Sequence, residues 1–125
     1  MVSGLNAIEG VRCQNPKGAF YVFPNIGGVV ENLGIQQAFN ALPDETRRNS
    51  SPATLFQLFL LYRYHVATMD RRSFGTLDSE GQHFLRLSIA TGTKDLAEAV
   101  ERIGIASNDA EGFHAFIQSG ARLVL

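Results

Sequence analysis

The sequence predicts an α+β fold in two layers, a small and mostly antiparallel sheet covered by helices. Three observations carry that expectation. Residues 84–89 alternate along a strand, with Leu85, Leu87 and Ile89 on one face and Phe84, Arg86 and Ser88 on the other. Residues 51–62, 94–103 and 108–117 instead carry apolar residues at helical spacing behind N-terminal caps. Residues 11–13, 19–23 and 66–69 are short and strand-like, bounded by turn formers.

From the start of the chain, Val2, Leu5 and Ile8 fall at roughly helical spacing and Gly10 follows as a stop. This reads as the last two turns of a helix whose beginning is missing. Residues 11–13 and 19–23 are expected to form a hairpin through Asn15-Pro16-Lys17-Gly18, which suits a type I turn. Gly27-Gly28 and Pro43-Asp44 bracket a short helix over 31–41, and 45–51 reads as exposed loop. A clearer helix starts where Ser51 caps and Pro52 takes the first helical position; it runs to about Tyr62. Apolar almost all round, it must be buried on more than one side.

A strand at 66–69, a polar loop at 71–82 and the arginine-bearing strand follow. The next helix, 94–103, has Thr93 as cap, Asp95 against the dipole and Leu96, Val100 and Ile103 inward. Glu98 and Arg102 pair outside, and Gly104 is the expected stop. A last helix opens with the capping pattern Asn108-Asp109-Ala110-Glu111 and buries Phe113, Phe116 and Ile117 before Gly120.

At 125 residues and 45% hydrophobic, the chain holds about one domain. A net charge of -1 gives no electrostatic case for nucleic acid or an anionic membrane. The apolar run at 58–61 is far too short to span a bilayer, and the N-terminus lacks the pattern of a signal peptide. The single cysteine, Cys13, cannot form an internal disulfide, in keeping with a cytoplasmic location.

Arg86 is the main candidate for function. An arginine within an apolar strand is costly to bury unless an anion meets it, and its planar fork suits a carboxylate. The competing reading is an arginine that pairs with a structural carboxylate or reaches past the sheet edge to water. Arg71 and Arg72 could receive an acidic side chain, or belong to a solvated loop. Phe20 and Tyr21 fit ordinary sheet packing. His65, His83 and His114 have no partner at metal-ligand spacing, so no metal site is expected. Nothing in the surroundings of Cys13 argues for an activated thiol, and Gly27-Gly28 lacks the ending of a phosphate loop.

The strand Leu85-Arg86-Leu87-Ser88-Ile89-Ala90-Thr91 and its following helix closely resemble the C-terminal end of the class I/II aminotransferases. These are the aspartate-aminotransferase-like, fold-type-I enzymes that depend on pyridoxal phosphate. Residues 16–24 resemble that family's Pro-x-Gly-(Ala/Thr)-Phe-(Tyr/Phe) strand, and Val66 to Met69 with Ser73-Phe74-Gly75 resembles its strand and loop ending in Phe-Gly. The three pieces occur in the family's order, across roughly positions 1–105. The resemblance implies three parts: residues 1–9 end the helix leading in from a large domain, 10–105 form the small domain, and 106–125 are a helical extension.

The resemblance also implies roles. Arg86 falls where the family binds the substrate α-carboxylate, and Phe20 or Tyr21 would line the cleft entrance. Many family members carry Pro-Gly where this chain has Asp70-Arg71, which weakens any carry-over to Arg72. The Schiff-base lysine, the acidic partner of the pyridine nitrogen and the phosphate cup come from the upstream domain. Lys17 and Lys94, the two lysines here, match no such motif. No catalytic, cofactor-binding or metal-binding residue is therefore expected, and the chain alone should bind no cofactor and be inactive. The parent would exchange amino groups between amino acids and 2-oxo acids as a homodimer, while the isolated chain would tend to self-associate through an exposed apolar face. A carbon–sulfur lyase or a decarboxylase of the same superfamily is an alternative parent. A standalone, non-catalytic binding module on the same fold is the alternative from a different class.

Overall fold

Helix α5 (Pro52–Tyr64) is the element on which most of the other helices pack. Its start is fixed locally: Ser51 Oγ accepts from the Thr54 amide at 3.3 Å, and Thr54 Oγ1 accepts from the Ser51 amide at 2.9 Å. Its end turns through His65, at φ 58° in the left-handed region, and the Val66 amide donates to the Leu60 carbonyl at 3.0 Å. In between, Leu55, Phe56, Leu58, Phe59 and Leu60 are all buried, as a helix apolar on several sides requires.

The computed structural model describes residues 2–13, 21–48, 50–70, 83–88 and 93–118. Seven helices and three strands are defined there. Around α5 lie α1 (Val2–Asn6), α2 (Gly27–Asn32), α3 (Ile35–Asn40), α4 (Asp44–Arg48), α6 (Thr93–Ala106) and α7 (Ala110–Gln118). The strands are β1 (Tyr21–Val22), β2 (Met69–Asp70) and β3 (Leu85–Ser88). They form an antiparallel sheet in the order β1-β3-β2. This is the expected α+β architecture, with more helix than sheet.

One core joins these layers. Leu85 and Leu87 of β3, Val22 of β1, Leu5 of α1 and Phe113 and Phe116 of α7 are buried in it with the α5 side chains. The Phe59 ring sits at its centre, 5.4 Å from the Tyr64 ring, 5.5 Å from Phe113 and 5.7 Å from Phe116. On the outside of α6, Arg102 pairs with Glu98 as the i,i+4 spacing predicts.

Several local expectations are corrected. The helix expected over 31–41 is two helices, because Gly34 takes φ +69° and turns the chain between α2 and α3. Helix α2 begins at Gly27-Gly28 itself. Asn25 Oδ1 accepts from the Gly27 amide at 2.8 Å, and a Cβ on Gly28 would stand 2.4 Å from Gly10 Cα. Residues 44–48, overlapping the stretch 45–51 expected to be loop, form α4, with Asp44 and Glu45 at its start and Arg47 and Arg48 at its end complementing the helix dipole.

Gly104 does not stop α6, which continues to Ala106; a Cβ there would meet Ile8 Cγ1 at an ordinary 3.6 Å. The cap of α7 is Asp109, whose Oδ1 accepts from the Gly112 amide at 2.9 Å. Arg12 does not pair with 19–23 but with Asn25, through backbone hydrogen bonds of 2.9 and 2.6 Å. Strand β2 begins later than expected, at Met69. The turn at 15–18, the loop at 71–82 and residues 89–92 lie outside the described residues.

Candidate functional site

Strand β3 is central in the sheet, and alternation sends its side chains to opposite faces. Leu85 and Leu87 point into the core and are 1% and 3% exposed, whereas Phe84 and Arg86 are half-buried on the other face. The register places Tyr21 opposite Ser88 and Val22 opposite Leu87, and it carries past Pro24 to the bridge between Asn25 and Phe84. On β1 the same alternation buries Val22 and leaves Tyr21 38% exposed. Tyr21 and Arg86 therefore share a face and stand on a cross-strand diagonal.

The two side chains meet. The Arg86 guanidinium carbon lies over the Tyr21 ring, 4.2 Å from its centroid. That is well within the range of a cation–π contact. Phe23 is 37% exposed and falls, by the same register, across from Arg86. Met69 of β2 pairs with Arg86 on the other side through the backbone. The result is a cationic fork on a rigid strand with aromatic groups beside it, chemically suited to an organic carboxylate.

Arg86 and Tyr21 are thus brought together, while Phe20, Arg71 and Arg72 lie outside the described residues. The Arg86–Tyr21 contact itself had no signal in the sequence. Alternation gives the parity of each strand, but only the pairing register brings two strands far apart in the chain into contact.

Three other titratable groups are tied into the fold. Burial pushes the Cys13 thiol up from its usual value, which makes it less reactive. The Asn6 side-chain amide holds the backbone of Cys13 through two hydrogen bonds of 2.8 Å. Burial lowers the pKa of His83, whose carbonyl accepts from the Ile26 amide at 2.8 Å. The Tyr64 hydroxyl donates to Asp109 Oδ2 at 2.6 Å, tying the end of α5 to the cap of α7. Among the described residues, no cluster of three His, Cys, Asp or Glu side chains could hold a metal ion. Likewise none of the described helices is long and apolar enough to cross a membrane.

Comparison with known proteins gives a consistent picture. An aspartate aminotransferase of Rhizobium meliloti is 38% identical over 106 residues, covering 85% of this chain and 22% of that enzyme. An aspartate/prephenate aminotransferase of Nitrosomonas europaea is 34% identical over 103 residues, covering 82% and 22%. The crystal structure of the aspartate aminotransferase from Rhizobium meliloti superposes with a TM-score of 0.62 at 36% identity, over 86% of this chain and 23% of that one. The match falls on the C-terminal part of these enzymes. The chain spans about a fifth of the length of the relatives it matches. No family model matches it.

Proposed function

We propose that this chain, which belongs with the C-terminal small domains of the aspartate aminotransferases, supplies the group that grips the substrate's α-carboxylate, the guanidinium of Arg86. The observation that carries this reading is the placement of Arg86. It stands on the central strand and on the face away from the core, with its guanidinium over an aromatic ring. A strand paired on both sides holds the Arg86 backbone in place. Two parallel N–H···O bonds from the fork then define the plane of a bound carboxylate and so the direction of the substrate Cα–H bond. The contribution to rate is proximity and orientation.

The aspartate aminotransferases are a pyridoxal-phosphate-dependent family acting on amino acids and oxo acids. When bound, that cofactor supplies an electron sink for chemistry at the amino-acid Cα. Lys94, the lysine among the described residues, is exposed on α6. The reaction assigned to the parent enzyme is amino-group transfer by double displacement, with the cofactor machinery in the part of the enzyme outside this chain. In this reading Arg86 and Tyr21 face the substrate, while Phe20 and Arg72 hold a substrate role only as the family resemblance implies it. The parent is a homodimer, by analogy with the family, and cytoplasmic, a location with which the lone Cys13 thiol agrees.

Phenylglyoxal, which modifies arginine, tests the assignment on the chain as it stands. With mass readout at each site, 2-oxoglutarate should slow labelling of Arg86 selectively, while Arg12 and Arg63 serve as exposed internal controls. Equal labelling of Arg86 with and without the oxo acid would remove the reading.

A further inference from the structure

We infer that Tyr21 is a positioning residue for Arg86: its ring is a platform that fixes the guanidinium before a carboxylate arrives. The inference rests on the reading of Arg86 as the carboxylate-binding group. It starts from an apparent waste of apolar surface. Tyr21 is 38% exposed although it sits in a paired strand next to Val22, which is 2% exposed and carries the burial of β1. A tyrosine kept at the surface of a sheet contributes less to the core than its size allows. What it touches is Arg86, with the guanidinium carbon 4.2 Å from the ring centroid.

The chemistry of the two contacts is compatible. A cation–π contact uses the face of the guanidinium, whereas all five N–H donors lie in its plane. The ring therefore occupies one direction and a carboxylate another, and the two do not compete. Arginine has many rotamers, and a carboxylate that meets a mobile side chain must bear the entropic cost of ordering it. A ring held by strand pairing has ordered it already, so that cost falls on folding and not on binding. The registers place the same ring in the same position: Tyr21 is fixed against Ser88, two residues along β3 from Arg86. The tyrosine hydroxyl plays no part in this, so phenylalanine should serve equally well.

NMR on the chain tests the inference through the Arg86 side-chain Nε–Hε signal and a titration with 2-oxoglutarate. Wild type, Tyr21→Phe, Tyr21→Leu and Arg86→Leu are compared. Tyr21→Phe should keep both the ordered Nε–Hε signal and the affinity. Tyr21→Leu should lose the order and bind about three- to fivefold more weakly, with thermal stability close to that of Tyr21→Phe. Should Tyr21→Leu keep wild-type order and affinity while Arg86→Leu loses binding, Tyr21 is not a positioning residue and the reading of Arg86 stands. Should Arg86→Leu bind as wild type does, or wild type not bind at all, the reading of Arg86 and the inference fall together. Loss of order and affinity in Tyr21→Phe as well would also overturn the inference, because the hydroxyl and not the ring would then be responsible.

Discussion

Replacing Tyr64 by phenylalanine isolates one hydrogen bond between two helices. The Tyr64 hydroxyl donates to Asp109 Oδ2 at 2.6 Å, while Asp109 Oδ1 accepts from the Gly112 amide at 2.9 Å and caps α7. Tyr64→Phe keeps the ring, whose edge-on contact with Phe59 has a centroid separation of 5.4 Å, and deletes the O–H. A hydrogen bond to a charged acceptor contributes about 1.5–3 kcal/mol, and a half-buried pair belongs at the lower end. The same contact bears on titration. Burial first, then the hydrogen bond and charge of Asp109, push the Tyr64 hydroxyl from 10.0 to about 12.

The sign follows from the direction of the shift. A folded pKa above the unfolded one means that the stabilisation is fully present below pH 10 and is lost as pH rises through about 12. Urea denaturation at pH 7 should find Tyr64→Phe less stable by about 1.5 kcal/mol. The gap between the two proteins should close between pH 10 and 12. A gap that stays constant to pH 12, or its absence at pH 7, would refute the reasoning.

Three further substitutions test the backbone argument by thermal denaturation. His65→Gly should relieve the left-handed conformation at φ 58° and stabilise by about 0.5–1 kcal/mol once glycine's greater chain entropy is set against it. Gly28→Ala should destabilise by about 2–3 kcal/mol, since the new Cβ would lie 2.4 Å from Gly10 Cα and backbone would have to move. Gly104→Ala is the contrast. It lies inside α6 with its nearest neighbour, Ile8 Cγ1, at an ordinary 3.6 Å, and should stabilise by up to about 1 kcal/mol.

Local patterns in the sequence lead to the structure where the cause is itself local. Ser51 with Pro52 sets the start of α5, and alternation alone predicts that Leu85 and Leu87 face inward while Arg86 does not. Where distant segments decide, the sequence misleads. Gly104 looks like a helix stop but lies inside α6, and Gly28 is required by Gly10 across a loop. Arg12 pairs with Asn25, just beyond β1, and Asn25 in turn bridges to Phe84 beside β3. The candidate site follows the same rule. Arg86 is legible from its place in an apolar strand, and Tyr21 from its resemblance to a family motif. Their contact is a property of the sheet.

The central claim is that Arg86 grips the substrate carboxylate by its fork. Its most direct test is kinetic, in the Rhizobium meliloti aspartate aminotransferase with its matching C-terminal region replaced by this chain. Arg86→Lys keeps the charge and removes bidentate geometry. The account predicts a loss of about thirtyfold in kcat/KM for both aspartate and the oxo acid, the equivalent of about 2 kcal/mol of charged hydrogen bonding. An active chimaera whose kcat/KM is unchanged by Arg86→Lys would contradict it.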